Sequence, residues 1–189
     1  MITAGDLRPG TVFELDGNLY RVITQSQTHL GRGSATVRVK VRNLRTGATV
    51  ERTFSPDERL QDVRLEARPM QYLYNDGDFY YFMDLETYEQ PAVPASVLGD
   101  RVKFLKEGMT LEIAFYESEP VEIELPVTVE LEVTYTEPGF AGDTAQGATK
   151  PAETETGLVV QVPLFVNSGD IIRVDTRTGQ YLTRVSSKS

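Results

Sequence analysis

Ala35-Thr36-Val37-Arg38-Val39-Lys40-Val41-Arg42 alternates apolar with polar or cationic residues along its whole length. A period of two is the pattern of a half-buried β-strand, with one face packed and the other wet. The wet face here is basic. Residues two apart on a strand project to the same side about 7 Å apart, so Arg38, Lys40 and Arg42 form a regular cationic row. Immediately before the strand stands His29-Leu30-Gly31-Arg32-Gly33-Ser34, which reads as the tip of a long β-hairpin. Glycine tolerates positive φ and lets the backbone approach a partner closely, so Gly31 and Gly33 leave Arg32 as a lone cation able to reach outward.

The same reading extends over three successive β-rich blocks with little helix. In residues 1–63, short strands at Val12–Leu15 and residues 19–23 are joined through Asp16-Gly17-Asn18, which is strong turn chemistry. Thr46-Gly47 turns the basic strand into a partner at Thr49–Phe54. Together these predict a small, strongly bent barrel of about five strands, of the SH3-like kind. In residues 64–127, strands at 71–74 and Phe79–Asp84 flank Asn75-Asp76-Gly77-Asp78, a second hairpin signal, and residues 97–105 read as a short helix or turn. Strands at 109–116 and 121–125 follow, with Glu117, Glu119, Glu122 and Glu124 read as a solvated face. In residues 128–189, a strand over 127–135 leads into a loop over 137–149 rich in Gly, Thr and Ala. Strands then resume at 158–166, Ile171–Asp175 and 181–185. The expected class is all-β, with five-stranded Greek-key barrels fitting the second and third blocks.

Charge is distributed unevenly along the 189 residues. The net charge is -9, yet residues 1–63 carry nine Lys and Arg against seven Asp and Glu, whereas residues 64–127 carry five against thirteen. Between Gln27 and Ser55, Arg32, Arg38, Lys40, Arg42, Arg45 and Arg52 are opposed only by Glu51. Phosphate attraction follows local fields rather than net charge, so a polyanion would bind one-sidedly to the first block.

Enzymatic constellations are missing from the sequence. With no cysteine and a single histidine, a zinc site and a Ser-His-Asp or Cys-His arrangement lack their raw material. No phosphate loop, nucleophile elbow or dinucleotide fingerprint occurs, and no cofactor or metal is expected. The amino terminus has neither a basic region nor an apolar run of the signal-peptide kind, and no stretch approaches a membrane span. A cytoplasmic protein with no membrane partner is the expectation.

Several motifs together resemble one family over essentially the whole chain. Asp6-Leu7-Arg8-Pro9-Gly10, Gly31-Arg32-Gly33-Ser34-Ala35, Asn43-Leu44-Arg45-Thr46-Gly47 and Arg52-Thr53-Phe54 resemble the first domain of bacterial elongation factor P. Gln71-Tyr72-Leu73-Tyr74 and Phe82-Met83-Asp84 resemble its second. Lys150-Pro151-Ala152 with Gly157, Val162-Pro163 and Gly169 resembles its carboxy-terminal signature, to which Gly142-Asp143-Thr144 and Asp175-Thr176-Arg177-Thr178-Gly179 add.

The resemblance implies an L-shaped arrangement of an SH3-like (KOW-like) domain and two OB-fold domains. It implies a monomer that binds both ribosomal subunits between the peptidyl and exit sites, contacts the peptidyl transfer RNA and relieves stalling at consecutive prolines. In that role the tip residues His29, Leu30, Gly31, Arg32, Gly33 and Ser34 extend toward the peptidyl-transferase centre. The row Arg38, Lys40 and Arg42 anchors on RNA phosphates, which position without reading sequence. Gly142, Asp143 and Thr144 face the small subunit and the exit-site codon. Arg177, Tyr181 and Arg184 are weaker candidates for RNA contact. Many relatives carry a modified lysine at the tip where this chain has Arg32, and some arginine-bearing relatives are glycosylated there, which implies a tip-modifying enzyme as a further partner. Leu30 replaces a proline frequent at that position. A rival class, a free single-stranded RNA-binding or RNA-chaperone protein, would use its barrels as stacking platforms; the acidic second and third blocks oppose it.

Overall fold

The computed structural model describes residues 1–28, 35–139 and 147–187, whose strands form three sheets. The first contains β1 (Ile2–Thr3), β2 (Val12–Leu15), β3 (Asn18–Thr28), β4 (Thr36–Asn43), β5 (Thr49–Phe54) and β6 (Arg59–Asp62), in the order β1-β6-β2-β3-β4-β5. Six strands replace the expected five or so because β1 pairs with β6, Ile2 opposite Leu60, and both are too short to show a periodicity. The turn between β2 and β3 forms as its residues demand: Asp16 and Gly17 both take positive φ, 51° and 79°, which suits the tight hairpin turns that match strand twist. On β4, Val37, Val39 and Val41 are completely buried while Arg38 and Lys40 are exposed. Phe13 fills the barrel centre, tilted against Tyr20 and edge-on to Phe54 at centroid distances of 5.7 and 6.1 Å.

The strand β3 runs to Thr28 rather than stopping near residue 23. Its last five residues, Thr-Gln-Ser-Gln-Thr, have no apolar alternation and so give no hydrophobic signal. Pairing with β4 extends them, Gln25 opposite Val39 and Thr28 opposite Thr36.

The second sheet contains β7 (Glu66–Asn75), β8 (Phe79–Asp84), β9 (Ala92–Pro94), β10 (Thr110–Tyr116) and β11 (Glu119–Glu124), in the order β11-β10-β7-β8-β9. A helical turn, α1 (Ala95–Leu98), continues into a 3-10 stretch over Gly99–Phe104, in keeping with the short helix expected there. The third sheet contains β12 (Thr128–Thr136), β13 (Thr149–Thr154), β14 (Val159–Pro163), β15 (Ile171–Asp175) and β16 (Tyr181–Ser186), in the order β14-β13-β12-β15-β16.

The sequence reading missed β13, and the reason is Pro151, which cannot donate to a ladder and normally argues against an interior strand. The alternation is nevertheless present, because Lys150, Ala152 and Thr154 are buried and Pro151 and Glu153 exposed. The Pro151 carbonyl still accepts, from the Thr136 hydroxyl at 2.8 Å.

Contacts divide the chain into two compact units. One comprises residues 1–68, 93–99 and 113–123, and the other residues 69–92, 100–112 and 124–189. Within the first, Val121 packs with Val12, Leu19 and Leu44, and two acidic residues read as solvated are in fact engaged. Glu122 accepts from Arg21, and Glu119 accepts from Arg45 at 3.2 and 3.3 Å. Within the second, Leu131, Val133, Val162, Val166, Ile172 and Val174 form a fully buried core.

Candidate nucleic-acid interface

The β3–β4 hairpin is the element that would carry the tip, and it is braced near the outer end of its described part. Gln25 Nε2 donates to the carbonyls of Ala4 and Gly5 at 3.3 and 3.2 Å, and Gln27 Nε2 to Gly5 at 3.1 Å. These glutamines, absent from the sequence-derived candidates, tie the polar end of β3 to the amino-terminal turn. The Thr28 and Thr36 hydroxyls, 3.0 Å apart, close the described part of the hairpin. Arg32 and its neighbours His29, Leu30, Gly31, Gly33 and Ser34 lie outside the described residues, as do Gly142, Asp143 and Thr144.

The basic row is real but graded. Arg38 stands exposed between Ser26 and Thr53 and so has neutral cross-strand neighbours. Lys40 is exposed opposite Glu51, which tempers its field; Arg42 is half-buried between Arg21 and Thr49. Two other cations of the cluster are committed elsewhere. Arg52 lies over the Tyr20 ring at 5.7 Å and donates to its hydroxyl at 3.2 Å. Arg45, besides Glu119, donates to the Gly17 carbonyl at 2.7 Å.

The three weaker candidates in the last sheet each have a local partner. Arg177 makes a two-point contact with Asp175 at 3.3 and 3.0 Å, and this guanidinium, with the Arg177 backbone N–H, holds the Asp175 carboxyl below its usual range. Arg184 stacks over Phe165 at 4.8 Å and reaches Asp170 at 3.6 Å. Tyr181 packs against the core of its sheet, and burial raises its hydroxyl above the ordinary tyrosine value. Among the described residues no group of three His, Cys, Asp or Glu is placed to hold a metal ion, and no helix is long and apolar enough to cross a membrane.

Comparison with known proteins matches three family models in chain order. They are the elongation factor P KOW-like domain over residues 3–60, the elongation factor P OB domain over residues 65–123 and the elongation factor P carboxy-terminal domain over residues 129–184. Elongation factor P of Thermoanaerobacter sp. (strain X514) is 53% identical over 185 residues, spanning 98% of this chain and all of that protein. The corresponding protein of Coprothermobacter proteolyticus is 54% identical over the same span. A solved structure of eukaryotic translation initiation factor 5A from Methanococcus jannaschii shares the fold, with a TM-score of 0.52 at 22% identity, covering 65% of this chain and 92% of that one. With full-length relatives at this identity and all three domain models in register, the chain belongs to the elongation factor P family.

Proposed function

We propose that this translation elongation factor acts on the ribosome beside the peptidyl transfer RNA and stimulates peptide-bond formation, relieving stalling at consecutive prolines. The observation that carries the reading is the braced hairpin, whose exposed cations Arg38 and Lys40 run along one face toward the segment that holds Arg32. Domains over residues 1–63, 64–127 and 128–189 would divide the work. The first would present Arg32 at the acceptor end of the transfer RNA, and the third would present Gly142, Asp143 and Thr144 to the small subunit.

Such a factor needs no catalytic group of its own. Holding two reactants in a productive geometry converts pre-organisation into rate, while bond making and breaking belong to the ribosome. Arg32 suits the task because a guanidinium is planar, permanently charged and matched to phosphate geometry. Arg38, Lys40 and Arg42 position the hairpin through backbone phosphates. The factor works as a monomer in the cytoplasm.

The test is synthesis of a reporter with consecutive prolines in a reconstituted translation system. Arg32→Ala folds normally and loses the stimulation; unchanged synthesis would sink the role of the tip. Intact-mass measurement of the native protein, with mapping of the tip peptide, establishes whether a modifying enzyme acts on Arg32.

A further inference from the structure

The β7–β8 hairpin displays an ordered aromatic face that neither the tip nor the basic row uses. A β-bulge at Leu73 shifts the register, so that Tyr72 opposes Phe82 but Tyr74 opposes Tyr81. A bulge re-aims the side chains beyond it. Tyr72 therefore turns inward against Phe82 and Tyr80, whereas Tyr74 turns outward and stacks on Tyr81 with centroids 4.6 Å apart and planes at 21°.

This outer pair is held in place. The Tyr81 hydroxyl donates to Asp76 Oδ2 at 3.0 Å, and Asp76 Oδ1 accepts the backbone N–H groups of Phe79 and Asp78 at 2.8 and 3.1 Å. Those backbone donors and the Tyr81 hydroxyl keep Asp76 ionised by lowering its pKa. Tyr74 is 50% exposed and the adjacent Phe79 42%.

We propose that this outer face is a docking surface for an arginine-bearing basic segment of a partner protein. The fixed tyrosine stack offers π-faces on which a guanidinium packs. Charge selects the occupant. From Pro69 to Asp100 there is no Lys, Arg or His, while Asp76, Asp78, Glu86 and Glu89 are all exposed. A nucleic acid would find the same rings but meet like charge from the hairpin's own side chains, whereas an arginine segment gains both stacking and ion pairing. The inference is independent of the role assigned to Arg32.

Titration of the full chain with a hexa-arginine peptide, a hexa-lysine peptide and a single-stranded oligouridylate, followed by amide NMR and by fluorescence anisotropy, tests it. The arginine peptide is expected to shift amides of residues 73–83 and to bind more tightly than the lysine peptide. Tyr74→Ala weakens its binding about five- to tenfold, and Tyr74→Phe, which keeps the ring, retains it. Equal affinity for the lysine peptide overturns the proposal, as does undiminished binding to Tyr74→Ala. Shifts spread over all acidic faces, or preferential binding of the oligouridylate at the hairpin, overturn it equally.

Discussion

The Arg21 guanidinium and the Glu122 carboxylate, 101 positions apart in the sequence, form an ion pair within the first unit, with Glu122 only 16% exposed. Arg21 also donates to the Gly10 carbonyl at 3.0 Å, so the guanidinium joins the first barrel to β11. A charged hydrogen bond in a partly desolvated place contributes about 1.5–3 kcal/mol. Glu122→Gln is expected to lower the unfolding free energy by about 1–3 kcal/mol in urea titration. Glu119→Gln, which weakens only the pair with Arg45 that is exposed on both sides, costs about 1 kcal/mol or less. A double-mutant cycle at Arg21 and Glu122 that returns no coupling would remove the pair from the account.

Arg38 and Lys40 face solvent from a strand whose other face is the core, so truncating them leaves the fold alone. Arg38→Ala and Lys40→Ala should each change stability by about 0.5 kcal/mol or less. If each side chain neutralises one phosphate on the ribosome, each variant also reduces the slope of log affinity against log salt by about 1. Factor–ribosome binding measured over a range of salt concentrations checks this. A weakened affinity with an unchanged slope would mean that neither residue contacts phosphate.

Hydrophobic alternation made β4 and the surrounding barrel legible in the sequence, because Val37, Val39 and Val41 write the core face in a single residue type. Turn chemistry did the same for Asp16-Gly17 and Asn75-Asp76-Gly77-Asp78. What stayed hidden had no local signal. The glutamine brace depends on where the amino-terminal turn comes to rest, β13 is disguised by Pro151, and the Arg21–Glu122 pair exists only after distant segments meet. The outward turn of Tyr74 was equally invisible, since Tyr72 and Tyr74 share a face in any strand without a bulge. For the interface, the basic row could be read directly, but the diversion of Arg52 to Tyr20 and Arg45 to Glu119 could not.

Asp175 gives a pH dependence with a definite sign. Its carboxyl titrates below the ordinary value of 3.8 in the folded chain, chiefly because the Arg177 guanidinium and backbone N–H bond to the ionised form. The resulting stabilisation is fully present above the unfolded pKa, about 3.9, and is lost as pH falls through the lower folded value. Asp175→Asn should therefore have a lower Tm than the native chain at neutral pH. The gap should begin to narrow as the pH drops below about 4, where the unfolded carboxyl takes up its proton, and close only once the pH has fallen through the lower folded value, where the native carboxyl is protonated too. A gap independent of pH would show that Asp175 acts through shape or neutral hydrogen bonding alone.

The chain leading to residues 140–146 is fixed by two hydrogen bonds, and Gly139 lies close against neighbouring backbone. The Thr136 hydroxyl donates to the Pro151 carbonyl, the buried Lys150 ammonium donates to the Glu137 carbonyl, and a Cβ at Gly139 would stand 2.4 Å from the Leu164 carbonyl oxygen. Backbone cannot yield at that distance without displacing β14 or the exit of β12. Gly139→Ala is expected to cost about 1–3 kcal/mol, and Lys150→Met a similar amount by leaving the Glu137 carbonyl without its donor. Gly147→Ala, on the far side of the segment, meets open space and suffers only from its φ of 83°, a penalty of about 1–2 kcal/mol. If Gly142, Asp143 and Thr144 contact the small subunit, moving this anchor weakens ribosome binding as well as folding. Gly139→Ala should then lose affinity at temperatures where circular dichroism still reports a folded chain; a folded variant with native affinity would show that the placement of residues 142–144 does not govern binding.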